Sequence, residues 1–172
     1  IEQLYNAGIT GGCSTAPLMY CPDSTVTRAQ MAIFILRGIH GSTYIPPTAT
    51  GAVFGDVPAG SFAADWIEQL ASEGVSAGCG GGNYCPDATI TRAQMAIFLL
   101  RSKYTSTYAP PDATGIFLDV PTNYWAAKWI EQLSLEGITG GCGNGNYCPG
   151  NNVTRDQMAI FLDRTFGLPS LP

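Results

Sequence analysis

The chain is poor in charge. Asp, Glu, Lys and Arg make up 12% of its 172 residues, about half the usual share of a soluble domain. A surface so low in charge faces other protein, glycan or neighbouring repeats. There is no basic run, and the net charge is −5 with a sequence pI of about 4.6. Nucleic acid and anionic membrane surfaces are therefore excluded as partners on charge. No apolar stretch approaches the roughly 20 residues that cross a bilayer, so membrane insertion is not expected.

Catalytic equipment is equally scarce. The one histidine, His40, stands just before a linker with no partner motif and reads as a solvated loop residue. There is no Gly-x-Ser-x-Gly nucleophile turn, phosphate loop, C-x-x-C redox pair or C-x-x-C-H haem signature. Nothing supports an enzyme, and no cofactor is expected. Asp23 and Asp87 follow Cys-Pro steps, but Gly150 takes that place later, which argues against a shared calcium site.

What the chain does have is repetition. Thr27-Arg28-Ala29-Gln30-Met31-Ala32-Ile33-Phe34 returns as Thr91-Arg92-Ala93-Gln94-Met95-Ala96-Ile97-Phe98 and as Thr154-Arg155-Asp156-Gln157-Met158-Ala159-Ile160-Phe161. The steps are 92 − 28 = 64 and 155 − 92 = 63 residues. A fixed period means stacked or ring-packed copies of one supersecondary unit, none of which buries its apolar face alone. Ile1-Glu2-Gln3-Leu4 matches Ile67-Glu68-Gln69-Leu70 and Ile130-Glu131-Gln132-Leu133. The sequence thus begins in mid-phrase and reads as the C-terminal part of a longer polypeptide or as a processed product.

Six cysteines fall in three local pairs, Cys13/Cys21, Cys79/Cys85 and Cys142/Cys148, each closing a short loop that is Gly-rich in the later two. One pair per unit reads as three short-loop disulfides formed in an oxidising compartment. Zinc would need four ligands, and each unit supplies two.

In the middle unit, Phe54-Gly55-Asp56-Val57-Pro58 is a short extended entry, since Pro58 bars a central strand. Ser61 or a neighbour then starts an amphipathic helix carrying Phe62, Trp66, Ile67, Leu70 and Ala71 at helical spacing. Gly74 is its expected C-cap, as are Gly8 and Gly137 in the other units. A small hairpin or pinched turn follows, and Thr91 opens a second helix that is apolar on most of its circumference and therefore central. Ser-, Thr- and Pro-rich linkers at 41–51 and 102–115 connect the units and offer hydroxyls suited to O-glycosylation.

Thr-Arg-x-Gln ahead of an apolar helix is a capping box, which accounts for each Thr and Gln. It does not account for Arg28, Arg92 and Arg155. A cation at the first helical position opposes the helix dipole by about 0.3–1 kcal/mol. Two readings remain open. Each Arg pairs with a carboxylate such as Asp56 or Asp119 and pins units together, or each reaches into a groove and forks onto an acidic ligand.

The layout Phe-x-Asp-Val-Pro, an aromatic helix with Ile-x-x-Leu, Glu-Gly-Ile/Val, a Gly-rich turn ending Tyr-x-Pro, and Ile-Thr-Arg-Ala-Gln-Met-Ala resembles the surface-layer homology domain over almost the whole chain. That family opens its helix with Thr-Arg-Ala-Glu. The resemblance implies a mainly α fold of three tandem helix–hairpin/loop–helix repeats in a pseudo-threefold arrangement, each here with a short local disulfide. The repeats divide as 1–50, incomplete at its N-terminus, 51–114 and 115–172.

It further implies noncovalent attachment of a larger extracellular protein to cell-wall or envelope glycan at the bacterial surface, often glycan bearing pyruvate ketals, through grooves between repeats. Arg28, Arg92 and Arg155 would face the acid. Trp66 or Trp129, or Tyr20, Tyr84 and Tyr147, would stack on sugar. The alternative is a structural subunit of a surface layer or filament that contacts copies of itself. Departures from the family are Gln in place of Glu, the added cysteines, the incomplete first copy, and Asp156, placed to satisfy Arg155 internally.

Overall fold

The computed structural model describes residues 1–168, so 169–172 at the end of the third expected copy lie outside the described residues. The elements run α1 (Glu2–Asn6), β1 (Ser14–Thr15), β2 (Leu18–Met19), α2 (Arg28–His40), α3 (Ala64–Ser72), α4 (Arg92–Lys103), α5 (Ala127–Leu135) and α6 (Arg155–Phe166). The fold is mainly α, with one two-residue hairpin, β1 antiparallel to β2. Disulfides Cys13–Cys21, Cys79–Cys85 and Cys142–Cys148 each hold Cα atoms 6.0 Å apart.

The three long helices start where their Thr residues place them. Thr27 Oγ1 accepts from the Gln30 N–H at 3.3 Å while Gln30 Oε1 accepts from the Thr27 N–H at 3.2 Å. Thr91 and Gln94 repeat the exchange at 3.3 and 3.1 Å. At Thr154 the box is broken, because Asp156 takes both the Thr154 hydroxyl and, at 2.7 Å, the Gln157 N–H.

α2, α4 and α6 each touch the other two. Met31, Ile35, Met95, Leu99, Met158 and Leu162 are buried among them. Just before each helix the chain joins a closed circuit. Val26 donates to the carbonyl of Val153, Ile90 to that of Val26, and Val153 to that of Ile90, at 2.9, 3.0 and 2.9 Å. The first N–H groups of the helices, which have no partner within their own helix, are met from the same circuit. Arg28 N–H donates to Ala88, Arg92 N–H to Asn151, and Arg155 N–H to Ser24, each at 2.9 Å.

The short helices pack on a neighbour's long helix: α3 on α2, α5 on α4, and α1 on α6. α3 begins at Ala64 rather than at Ser61, because Ser61 closes a turn on the Pro58 carbonyl and Ala63 adopts φ 60°. Phe62 thereby leaves the expected apolar stripe and is 67% exposed. Gly8, Gly74 and Gly137, with φ of 68°, 72° and 70°, end the three short helices as expected.

The Ser/Thr/Pro linkers are docked to the body rather than slung between units. Glu68 accepts from the N–H groups of Thr50 and Gly51 at 2.8 and 2.7 Å. Glu131, 4% exposed, accepts from those of Thr114, Gly115 and Ile116 at 2.7, 2.6 and 3.0 Å. The Thr50 and Thr114 hydroxyls bond the same carboxylates. His40 is exposed, as expected, but is not a loop residue. It ends α2, meets Glu73 at 2.7 Å and stacks on Tyr44 at 4.3 Å. Lys103 and Glu136 form a matching pair at 2.8 Å.

Burial would raise the pKa of Glu131, but the backbone donors of Thr114, Ile116 and Gly115 bring it below the ordinary value; Glu68, held chiefly by the Thr50 N–H, is lowered too. Carboxylates with lowered folded-state pKa contribute fully above the unfolded value of about 4.3 and lose that contribution as pH falls through the folded value. The melting temperature is expected to fall as pH drops below about 4.3. Glu131→Gln should cost about 1.5–3 kcal/mol at neutral pH and flatten that acid decline. Urea titrations at neutral and acidic pH read both effects.

Candidate functional site: the arginine grooves between helices

Each helix-opening arginine is held by a tyrosine 55 or 56 residues further on, or, for Arg155, 135 residues back. Arg28 Nε donates to the Tyr84 carbonyl at 2.7 Å, and the Tyr84 hydroxyl donates back to the Arg28 carbonyl at 3.0 Å. Arg92 and Tyr147 do the same at 2.8 and 2.9 Å, and Arg155 and Tyr20 at 2.7 and 2.7 Å. In all three the guanidinium lies over the tyrosine ring, 4.7 Å from its centroid. A hydrogen bond from a charged donor contributes about 1.5–3 kcal/mol and a partly desolvated cation–π contact about 0.5–2 kcal/mol. Together they exceed the dipole penalty of a cation at this position, about 0.3–1 kcal/mol.

The carboxylate-pairing reading is overturned. Among the described residues none of the three arginines forms an ion pair. Asp56 is occupied by the Tyr84 and Cys85 N–H groups, and Asp119 by those of Tyr147 and Cys148, each at 2.7 Å. Asp156 engages Thr154 and Gln157, not Arg155.

Two of the arginines line open grooves. Arg28 shares a cavity of about 290 Å³ with Ser76, Gly78, Gln94, Arg101 and Trp125. Arg92 shares one of about 350 Å³ with Thr139, Gly141, Asn152, Gln157 and Arg164. Among the described residues no carboxylate lines either groove. Each groove thus gathers two arginines in a chain whose net charge is −5. Arg28 and Arg92 are 3% and 5% exposed, and the Nη2 atom of each is buried with no partner among the described residues. Burial lowers the Arg28 pKa, opposed by Tyr84 and Asp56. Arg155 differs, since its Nη2 donates to Thr10 Oγ1 at 3.2 Å.

The aromatic candidates separate. Tyr84 and Tyr147 are 0% exposed, so neither has a ring face for a sugar; burial pushes both hydroxyls well above the ordinary tyrosine pKa. Tyr20 is half-buried. Trp66 and Trp129 lie beneath linker tyrosines, with Tyr44 and Tyr108 edge-on at 6.1 Å and Arg37 and Arg101 over the rings at 5.4 and 5.5 Å. Phe98 and Phe161 line the two grooves but are buried, and the exposed aromatic at the Arg28 groove is Trp125, 58% exposed. Sequence reading passed over Trp125 and also Arg101 and Arg164. The signal for the arginines was present, because Arg37, Arg101 and Arg164 recur at 101 − 37 = 64 and 164 − 101 = 63 residues.

The family model for the S-layer homology domain matches residues 53–96 and 116–159. The chain belongs to the S-layer homology family. It is 32% identical over 123 residues to an S-layer protein of Bacillus licheniformis, covering 72% of this chain and 14% of that protein. Similarity extends to an amylopullulanase of Thermoanaerobacterium thermosulfurigenes, 30% identical over 94% of this chain and 8% of the enzyme. A cellulosome-anchoring protein of Acetivibrio thermocellus is 22% identical over 86% of this chain and 33% of its own length. The S-layer homology chain thus spans a minor part of each relative. Both family matches run from just before a Phe-x-Asp entry to the alanine of a Met-Ala step, so each contains one helix-opening arginine, Arg92 or Arg155.

Tyr147→Phe removes only the hydroxyl end of the Arg92 clasp and is expected to lower stability by about 0.5–1.5 kcal/mol. Tyr84→Phe should match it. Urea denaturation checks both, and an unchanged midpoint in each would contradict the reciprocal clasp.

Proposed function

We propose that this chain is a cell-wall anchoring module. It holds a larger extracellular protein noncovalently to acid-bearing wall or envelope glycan at the bacterial surface. The observation that carries this reading is the pair of grooves in which a buried guanidinium keeps an unpartnered Nη2 beside a second arginine, with no carboxylate in the lining. A guanidinium whose Nη2 lacks an internal partner, beside a second arginine, keeps donor capacity for a carboxylate, and a pyruvate ketal on a sugar supplies such a group. The relatives point the same way, since proteins named S-layer protein, amylopullulanase and cellulosome-anchoring protein each match this chain over a minor part of their own length.

In this reading the three copies at 1–50, 51–114 and 115–172 form a pseudo-threefold arrangement, the first lacking its entry segment. Support comes from the Val26–Val153–Ile90 circuit and from the cyclic order of the arginine–tyrosine clasps. The Arg28 and Arg92 grooves take ligand. The Arg155 position is weaker, because Thr10 already accepts from its Nη2. Trp125 offers a stacking face in the Arg28 groove. In the Arg92 groove the Gln157 Oε1 is buried and unpartnered among the described residues, and Asp156 accepts the Gln157 N–H that the threonine hydroxyl accepts in the other two copies.

A second reading, a subunit that packs against copies of itself in a surface layer, is favoured by scattered exposed apolar residues such as Ile45 and Leu118, 85% and 82% exposed.

Co-sedimentation with purified wall polysaccharide tests the proposal. The chain is expected to bind native polysaccharide and to lose about tenfold or more in affinity when the acid groups are hydrolysed off, the loss of a charge-assisted pair. Trp125→Ala, at an exposed position, should weaken binding several-fold without moving the melting temperature. Binding indifferent to the acid groups would sink the arginine-groove reading and leave the assembly role.

A further inference from the structure

Cys85 and Cys148 directly follow the tyrosines that hold Arg28 and Arg92, and both adopt φ 59°. In this left-handed region a residue with a Cβ is strained and persists only where its surroundings hold it. The restraint falls on one peptide plane. Its carbonyl, from Tyr147, accepts from Arg92 Nε at 2.8 Å, and its N–H, from Cys148, donates to Asp119 at 2.7 Å. The Tyr84–Cys85 plane is held alike by Arg28 and Asp56, both at 2.7 Å. Because φ is rotation about the N–Cα bond and the peptide unit is planar, the cysteine φ sets how that whole plane stands on the cysteine Cα.

The disulfide is the remaining restraint. Cys79 and Cys85, like Cys142 and Cys148, stand 6 residues apart. The N–H groups of Cys79 and Cys142 are fixed on the Asn83 and Asn146 carbonyls, both at 2.8 Å. A loop so short restrains the unfolded chain less than a long one, so the bridge bears mainly on the hairpin it closes. Each bridge also walls the groove whose arginine its hairpin holds. Cys79 lines the Arg28 groove and Cys142 the Arg92 groove. Both are exposed, while Cys85 and Cys148 are half-buried.

We propose that these two bridges are redox-sensitive locks on the arginine grooves, opened by a dithiol reductant. A thiolate of the reductant attacks the exposed Cys142 sulfur, the S–S bond breaks, and Cys148 departs as a thiolate that takes up a proton. The second thiol of the reductant then displaces Cys142. The dithiol is thereby oxidised to a disulfide, and the chain gains the electron pair and the protons. Freed of the bridge, Cys148 relaxes from φ 59° and turns its peptide plane, so Arg92 loses the Tyr147 carbonyl. A guanidinium without that contact has no fixed orientation in the groove, and acid binding weakens. That last step rests on the anchoring reading; the unlocking of the clasp does not.

Solvent exchange of the arginine Nε–H protons, read by NMR on the full chain, tests the lock. With Cys142→Ser and Cys148→Ser together, protection of the Arg92 Nε–H should fall at least about tenfold, while Arg28, behind its intact bridge, keeps its own. With Cys142→Ser and Cys148→Gly together, Arg92 protection should stay within about threefold of the unaltered chain, because glycine adopts a positive φ unstrained. The unaltered chain in dithiothreitol should lose protection at both arginines and regain it on reoxidation. Unchanged Arg92 protection in the serine pair would overturn the inference, as would equal loss in the glycine pair. So would loss at Arg28 along with Arg92 in the serine pair, the mark of global unfolding. Co-sedimentation with wall polysaccharide separates the two readings. Binding several-fold weaker for the reduced chain supports both. No binding by either form, with the exchange pattern as stated, sinks the anchoring reading and leaves the lock standing. Equal binding by both forms overturns the lock as a control of binding.

Discussion

The constraint on which the molecule rests is the reciprocal arginine–tyrosine clasp. A cation at the first turn of a helix is disfavoured by the dipole, yet this chain places one there three times. Each guanidinium gives its Nε to a tyrosine carbonyl and lies over that tyrosine's ring, while the hydroxyl returns a bond to the arginine's own carbonyl. The clasp therefore ties a helix start to a disulfide-closed hairpin distant in sequence. Because Arg28 holds Tyr84, Arg92 holds Tyr147 and Arg155 holds Tyr20, the three contacts close into a ring. The short disulfide loops gain meaning from this. They stiffen the segment that presents the tyrosine carbonyl, which must sit within hydrogen-bond reach of a buried charge.

The same contact shapes the grooves. It uses one edge of the guanidinium and leaves the other beside a cavity without acidic lining. Elsewhere the few carboxylates are placed on backbone N–H groups: Asp56 and Asp119 on the hairpins, Glu68 and Glu131 on the linkers. Scarcity of charge thus reflects a division of labour. Acids organise backbone, so the arginines are not neutralised, and cationic clefts persist on an anionic protein. Asp156 shows how finely this is set, since one carboxylate replaces the capping box at Thr154 and leaves Gln157 Oε1 without a partner among the described residues.

Much of the local structure was legible. The capping boxes at Thr27 and Thr91, the glycine stops after the short helices, the buried faces of α2 and α4 and the disulfide pairs all follow from interactions within about ten residues. What was not legible depended on distant partners. Trp66 and Trp129 occupy the apolar stripe in the sequence, but only the docked linker shows that tyrosines cover them. Tyr84 and Tyr147 look like surface turn residues beside glycines and are instead fully buried, because Phe54 and Phe117 fold over them. The exposed His40 shows no partner in the sequence, because Glu73 lies 33 residues away.

By itself the sequence determined the repeat period, the positions of the long helices, the covalent closure of the hairpins and the presence of arginines at an electrostatically unfavourable place. Those are properties of spacing and of residue chemistry, and they survive any packing of the units. Only the tertiary structure decided that each short helix packs on the long helix of the neighbouring segment, that each arginine turns to a tyrosine rather than to a carboxylate, and that Trp125 rather than Trp129 stands at a groove. These outcomes turn on which groups come within about 3 Å for hydrogen bonding or 6 Å for cation–π contact, distances that no linear pattern specifies.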